Sequence, residues 1–408
     1  MAARSEAVEA RIERGPEVAH ESRRILGALL ALSLGTFAYV TTENLPVGLL
    51  PELAQDLHHS RSVTGYLITG YAAVVVVASV PLAIATRRFS RRKLLIAALS
   101  VYVTGTALGA AAGSYGVLLA TRMAIALSHA VFWAVVAAAA AALVPRERRG
   151  RAFGIVFSGV SLASVVGVPA ITWLGQQTSW RVSTLATSAL GLVALTAVIV
   201  LLPETPAEVE QAAAPHPSGK RYALVQAALG FAVIGAFSFL TYVTVFMTKL
   251  GGLPKGAISP ILLVSGLTSA VGVLVASHYT TRRPRGVMAG GVGGIAGTLL
   301  LFSLFSHVGV ADIVVFCAFG FALSCLAVGV QNRVLDLAPG SLNVASAGNS
   351  ATFNIGIGGG ALVGGLLLQG PGVRAIPITG SLVAACGLAL LAAEPWILPT
   401  ARRLRRVE

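Results

Sequence analysis

Residues 72–99 read AAVVVVASVPLAIATRRFSRRKLLIAAL: an apolar stretch, a turn holding Arg87, Arg88, Arg91, Arg92 and Lys93, and a second apolar stretch. Roughly 20 apolar residues cross a bilayer as a helix, so the segment predicts two membrane spans joined by a short basic turn. A similar turn, Arg282-Arg283-Pro284-Arg285, follows 195 residues after Arg87. A small-residue stretch at Gly159 has a counterpart at Gly356, 197 residues on. Near-equal separations point to a duplicated unit of six spans.

Working outward, the whole chain carries the same composition. Of 408 residues, 55% are hydrophobic and only 11% charged, with a mean hydropathy of +0.81. A soluble domain is about a quarter charged. Disorder, a soluble nucleic-acid-binding domain and an ordinary cytosolic enzyme are therefore excluded. Apolar runs fall at about 25–50, 63–86, 94–113, 115–144, 152–175 and 182–202, then at about 222–247, 258–279, 286–306, 310–335, 345–369 and 373–397. The expected fold class is an all-α membrane protein of twelve transmembrane helices in two six-helix bundles. Its parts are a cytoplasmic tail (1–24), a first bundle (25–202), a cytoplasmic linker (203–221), a second bundle (222–397) and a basic cytoplasmic tail (398–408).

The net charge of +14 sits between the apolar runs, not on a nucleic-acid-binding face. With the N-terminus inside, twenty-four of the 30 basic residues fall on the cytoplasmic side, as the positive-inside rule requires. Only Arg61, Arg181, Lys249, Lys255 and Arg374 fall outside, and Arg122 lies within a span. Residues 1–24 lack the short apolar core of a secretory signal. Cys317, Cys325 and Cys386 all lie in apolar runs, an odd number that argues against a disulfide framework.

An ionisable residue inside the bilayer is costly and is a functional candidate by default. Glu43 in the first span lies about eight residues from its outer end, and Arg122 in the fourth about seven from its own, so at about 1.5 Å per residue they share a depth. They could pair directly or through water, in a functional role or simply to hold two helices together. Tyr39 and Glu43 share a helical face, and Pro46 kinks the same helix. A carboxyl group in a low-dielectric cavity can load protons or hydrogen-bond a hydroxylated solute. Arg122, His129 and Trp133 fall within about 40° on one face of the fourth span, where an imidazole and an indole suit sugar or aromatic contact. Equally, His129 could bond a helix carbonyl and Trp133 pack between helices.

In the second half, Tyr242, Gln331 and Asn354 are polar candidates among many Ser, Thr and Asn residues that also join membrane helices. Asp312, Arg333, Asp336 and Glu394 lie near span ends, where solvation is expected to account for them. Gly159, Gly167 and Pro169 in the fifth span, and Gly356 and Gly360 in the eleventh, are expected to pack closely across the interface between the halves. Zinc-spaced His/Cys sets, phosphate loops and paired catalytic residues are missing. No cofactor or metal is expected, and without an ATP site transport would use an ion gradient or be passive.

These residues resemble the major facilitator superfamily, specifically its sugar efflux and drug:proton antiporter branch. The resemblance rests on Thr41-Thr42-Glu43-Asn44-Leu45-Pro46-Val47-Gly48-Leu49-Leu50-Pro51, on Ser128-His129-Ala130-Val131-Phe132-Trp133, and on Phe353-Asn354-Ile355-Gly356-Ile357-Gly358. It implies a role for Arg122 in proton coupling. The looser match of Gly159 to Pro169 with the antiporter motif implies efflux. The loop before Arg91, Arg92 and Lys93 departs from the family pattern: Ala83 and Arg87 stand where a Gly and an Asp are usual. Asn44 also departs, since these exporters usually carry an apolar residue there.

The expected activity is export of a small solute, a sugar or drug-like compound, by proton antiport with alternating access. Glu43 and Arg122 would couple the proton; Tyr39, Asn44, His129, Trp133, Tyr242, Gln331 and Asn354 would contact substrate. The partners would be that solute, protons and the bilayer, with no nucleic acid, and the protein would act as a monomer in the plasma membrane. The rivals are an uncoupled facilitator or exchanger and a non-transporting membrane sensor.

Overall fold

The computed structural model describes residues 2–86, 88–145, 148–204, 216–280, 282–305, 309–339 and 342–398. Arg87, the middle of the linker (205–215) and the C-terminal tail from 399 onward lie outside the described residues.

Twelve helices among the described residues are long and apolar enough to span a bilayer. The first bundle comprises α1 (Arg23–Gly48), α2 (Arg61–Thr86), α3 (Arg91–Ala110), α4 (Tyr115–Ala142), α5 (Arg151–Gln177) and α6 (Trp180–Leu201). The second comprises α7 (Gly219–Leu240), α8 (Lys255–Thr280), α9 (Pro284–Phe305), α10 (Gly309–Leu337), α11 (Ala345–Gln369) and α12 (Ala375–Ile397). Helix is the form that satisfies every backbone group within one segment when no water is at hand. Serines mark four of the starts: Ser90, Ser114, Ser179 and Ser218 each accept the N–H of the third residue onward, at the heads of α3, α4, α6 and α7. Upstream, α1 continues a helix that begins at Ala2.

The expected run 222–247 is interrupted. Helix α7 ends at Leu240, and a short helix, Val243–Lys249, follows a break at Thr241-Tyr242. Hydropathy misses the break because Val243, Val245, Phe246 and Met247 remain apolar and buried. After α1, a short helix (Leu50–Asp56) closes over the same end of the first bundle. Its Asp56 accepts from Trp180 Nε1 at 3.0 Å and from Arg181. The Arg181 guanidinium, then the indole, holds the Asp56 carboxyl below its usual range. The contact is therefore complete above the ordinary carboxylate range and is lost as pH falls through the lowered value.

Hydrogen bonds between the bundles are confined, among the described residues, to the half of the molecule away from both termini. Ser62 donates to Gly365 O at 2.6 Å, Thr69 to Gly358 O at 3.2 Å, Gln176 to Lys255 O at 3.1 Å and Ser259 to Pro169 O at 2.7 Å. An apolar contact accompanies them: Val47, Leu50, Ile68, Ala72 and Val168 of the first bundle join the buried core of the second. At the terminal end, residues 346–353 of α11 are partly exposed.

The glycine stripes are placed differently from expectation. A Cβ on Gly159 would strike Ser33 O and Thr36, and one on Gly167 would strike Thr41, all on α1 of the same bundle. Gly356 and Gly360 likewise face Val233, Ile234 and Phe237 of α7, within the second bundle. Close approach across the interface falls instead to Gly266 against Ser164-Val165 and to Gly358 against Ala72 and Thr69. Small-residue spacing finds a contact face but not its partner. In α5 the stripe ends in a π-helical turn, Ala163–Gly167, just before Pro169, a register shift that proline favours by withholding its N–H.

Solvation does not account for all the charges at span ends. Glu394 is 1% and Arg333 7% exposed, and Asp312 is buried too. Glu394 Oε1 meets Arg333 Nη2 at 2.5 Å and Arg221 Nη1 at 3.4 Å, while Oε2 lies 3.2 Å from Arg285 Nε. One carboxylate thus ties α7, α9, α10 and α12 together at the terminal end. Breaking a buried pair by removing one partner costs about 3–5 kcal/mol, because the remaining charge stays buried. Glu394→Gln should lower the melting temperature of the detergent-solubilised protein far more than Glu204→Gln, whose carboxylate is exposed.

Candidate functional site

Pro46 has no N–H, so the carbonyl of Thr42, four residues earlier in α1, has no helical donor. Arg122 of α4 supplies one: its Nη1 donates to Thr42 O at 3.5 Å, and its Nη2 to Glu43 O at 3.4 Å. The guanidinium also stands over the Tyr71 ring, 5.1 Å from its centroid. A cation over a desolvated ring gains about 2 kcal/mol, which helps offset the cost of holding this residue 5% exposed. Glu43 and Arg122 are therefore neighbours, but they meet through the main chain. The Glu43 carboxyl has no hydrogen-bonded or ionic partner among the described residues and is half-buried. Beside them, a cavity of about 20 Å³, lined in part by Thr42, Pro46, Thr121, Arg122 and Thr184, has room for one water.

Tyr71 extends this arrangement. Its hydroxyl lies 2.9 Å from His129 Nδ1, so one residue of α2 touches Arg122 with its face and the imidazole with its edge. His129 in turn lies against Trp133, with 5.8 Å between ring centroids, and Trp133 Nε1 is buried without a partner among the described residues. The line Glu43, Arg122, Tyr71, His129, Trp133 is continuous. Tyr71 escaped the sequence reading, and a phenol in the middle of an otherwise apolar run was the available signal.

The remaining candidates divide. Tyr39 is fully buried, with its hydroxyl 2.9 Å from Ser128 Oγ and 3.1 Å from Ala98 O. It sits in the core of the first bundle and not on a solute-facing wall, because bonding to α3 and α4 turns it inward. Tyr242 is also fully buried; its hydroxyl lies 3.1 Å from Ala361 O and 3.5 Å from Ser62 O. It belongs to the closed contact between the bundles. Asn44 donates to Val40 O at 2.9 Å within its own helix. Asn354 donates to Ser350 O at 3.0 Å and leaves its Oδ1 buried without a partner among the described residues. Gln331 is exposed. None of these residues of the second bundle touches Glu43 or Arg122 in this conformation. Among the described residues no group of His, Cys, Asp or Glu is arranged to hold a metal ion.

Residues 32–347 match the Major Facilitator Superfamily. The chain belongs to that superfamily. It is 30% identical to a probable sugar efflux transporter of Mannheimia succiniciproducens over 365 residues, 88% of this chain and 91% of the relative. It is 31% identical to another of that description from Pasteurella multocida over 379 residues, 92% and 93% of the two chains. Among solved structures it resembles a peptide transporter (TM-score 0.74, 12% identity, covering 91% of this chain and 94% of that one). It also resembles a bacterial homologue of the human lysosomal transporter Spinster in an inward-facing, occupied state, with TM-score 0.69, 15% identity and coverage of 89% and 95%. At such identities these structures speak for the fold alone. The protein is a multi-pass membrane transporter and not an enzyme.

In this transporter the described part of the basic loop of the first bundle is tied to neighbouring helices by its arginines. Arg91 Nη1 donates to Ala138 O at 3.0 Å and Arg92 Nη2 to Ile199 O at 2.6 Å, while Lys93 N completes the Ser90 cap. Arg91 and Arg92 thus reach carbonyls near the last turns of α4 and α6, where the helix dipole favours a cation.

Arg122→Ala should leave the Thr42 carbonyl buried and unpaired, destabilising the protein by about 1–3 kcal/mol. Adding Pro46→Ala restores an N–H four residues from that carbonyl and should recover about 1 kcal/mol. Unfolding of the two single variants and the double variant in detergent measures the coupling; strictly additive losses would contradict it.

Proposed function

We propose that this transporter exports a small hydroxylated solute, a sugar in the first instance, in exchange for protons. It would act as a monomer in the plasma membrane with both termini cytoplasmic. The observation that carries this reading is the Glu43 carboxyl, unpartnered and half-buried beside an arginine held to the main chain. A carboxyl so placed is neutral when protonated and, once ionised, is stabilised by the nearby guanidinium without being locked to it. Proton and solute can then compete for one group. Trp133 Nε1 and Asn354 Oδ1, a donor and an acceptor with nothing to bond, are polar ends that a sugar hydroxyl could meet. The names of the two relatives support the solute class. With the termini inside, hydrogen bonds between the bundles close the outer half, which is one of the two states that alternating access needs.

In everted vesicles energised to be acid inside, adding a transported sugar should release protons through the wild-type protein. Glu43→Gln should insert normally and release none, a loss of at least tenfold. Proton release by the variant at the wild-type rate would overturn the role of Glu43. Sugar flux indifferent to an uncoupler would favour facilitated exchange instead.

A further inference from the structure

On the flank of the second bundle, where α9 begins beside α12, lies a cleft of about 520 Å³. Two chemistries meet in it. Arg282, Arg283 and Arg285 line one side, and Leu388, Leu391 and Ala392 the other. Arg285 is already engaged, with Nη2 donating to Leu391 O at 2.6 Å and Nε 3.2 Å from Glu394. Arg282 and Arg283 are exposed, and neither guanidinium has a hydrogen-bonded or ionic partner among the described residues. Among the described residues the charge is not cancelled nearby, since Glu394 is shared among Arg221, Arg285 and Arg333, and no acidic residue lines the cleft.

The cleft's height in the bilayer narrows what can fill it. Helix α8 ends at Thr280 and α9 starts at Pro284, so the arginines lie at the edge of the hydrocarbon region, with the leucines of α12 running inward from them. At the same end, Trp396 is 77% exposed, as expected of a side chain at the level of the headgroups. A free anion would use the arginines and leave the apolar wall bare. A phospholipid uses both.

We propose that this cleft binds an anionic glycerophospholipid, its phosphate on Arg282 and Arg283 and the start of an acyl chain along Leu388 and Leu391. Guanidinium groups take phosphate oxygens in bidentate fashion, and a basic pocket between spans is the expected seat for an anionic headgroup. The site lies away from Glu43 and Arg122 and stands independently of the transported solute.

The test is native mass spectrometry of the full chain in mild detergent, titrated with phosphatidylglycerol or phosphatidylcholine of identical acyl chains. Phosphatidylglycerol should be retained in preference. Each basic residue near an anionic surface is worth about fivefold in binding, so Arg282→Gln with Arg283→Gln should weaken retention roughly thirtyfold. Replacing both by Lys should keep most of it, and Arg88→Gln, in the corresponding turn of the first bundle, should change nothing. An unchanged melting temperature shows that the double Gln variant is folded; if it is not, Leu388→Asn serves as the second variant and should also lower retention. Equal retention of the two lipids, or full retention by a folded double variant, would overturn the proposal. So would displacement of the lipid by excess inorganic phosphate, which would assign the site to a free anion.

Discussion

A peptide carbonyl inside a membrane protein has no water to accept from, so a proline that withholds one N–H obliges another residue to provide it. Here Pro46 deprives Thr42 O of its helical donor, and Arg122 answers from α4. Much of the first bundle's polar interior follows. The arginine must stand close to α1, which brings it over Tyr71; Tyr71 in turn orients His129, and His129 backs Trp133. Because the guanidinium is occupied by main-chain oxygens, Glu43 keeps its carboxyl free. A direct ion pair would have tied up both groups. The placement of the Glu43 carboxyl thus goes with a missing backbone donor, at Pro46, four positions from its neighbour Thr42.

The same physics operates at the terminal ends of the spans, once in each half. Arg92 at the start of α3 donates to Ile199 O near the end of α6, and Arg285 at the start of α9 donates to Leu391 O near the end of α12. Both arginines also face a glutamate, Glu204 and Glu394. The duplication is therefore visible in side-chain contacts as well as in helix order. The halves differ in burial: Glu204 is exposed, whereas Glu394 is enclosed and shared by three arginines. A buried carboxylate with that many donors is a fixed point of the second bundle, and among the described residues none pairs with Arg282 or Arg283.

Much of the architecture was legible because membrane spans are written in one dimension. Runs of apolar residues and clustered arginines need no knowledge of neighbours, and the helices begin and end within a few residues of the runs, apart from the break at Thr241-Tyr242. Pairings were less legible. Gly159 and Gly356 announce close approach, yet nothing in their spacing says whether the partner helix is in the same bundle or the other. Tyr39 shares a helical face with Glu43, but a hydrogen bond to Ser128 draws it into the core. Glu394 reads as a solvated end residue until α7, α9 and α10 each present an arginine to it.

By itself, then, the sequence determined that this is a twelve-span membrane protein built from a repeated half, and that Glu43 and Arg122 lie at one depth within it. Those properties depend on hydropathy, charge and rise per residue, all of them local. Only the tertiary structure decided that the two meet through a backbone carbonyl, that Tyr71 joins them, and that the hydrogen bonds between the bundles, among the described residues, lie away from the termini. These depend on the rotation of each helix about its axis, which is set by packing against neighbours distant in the chain.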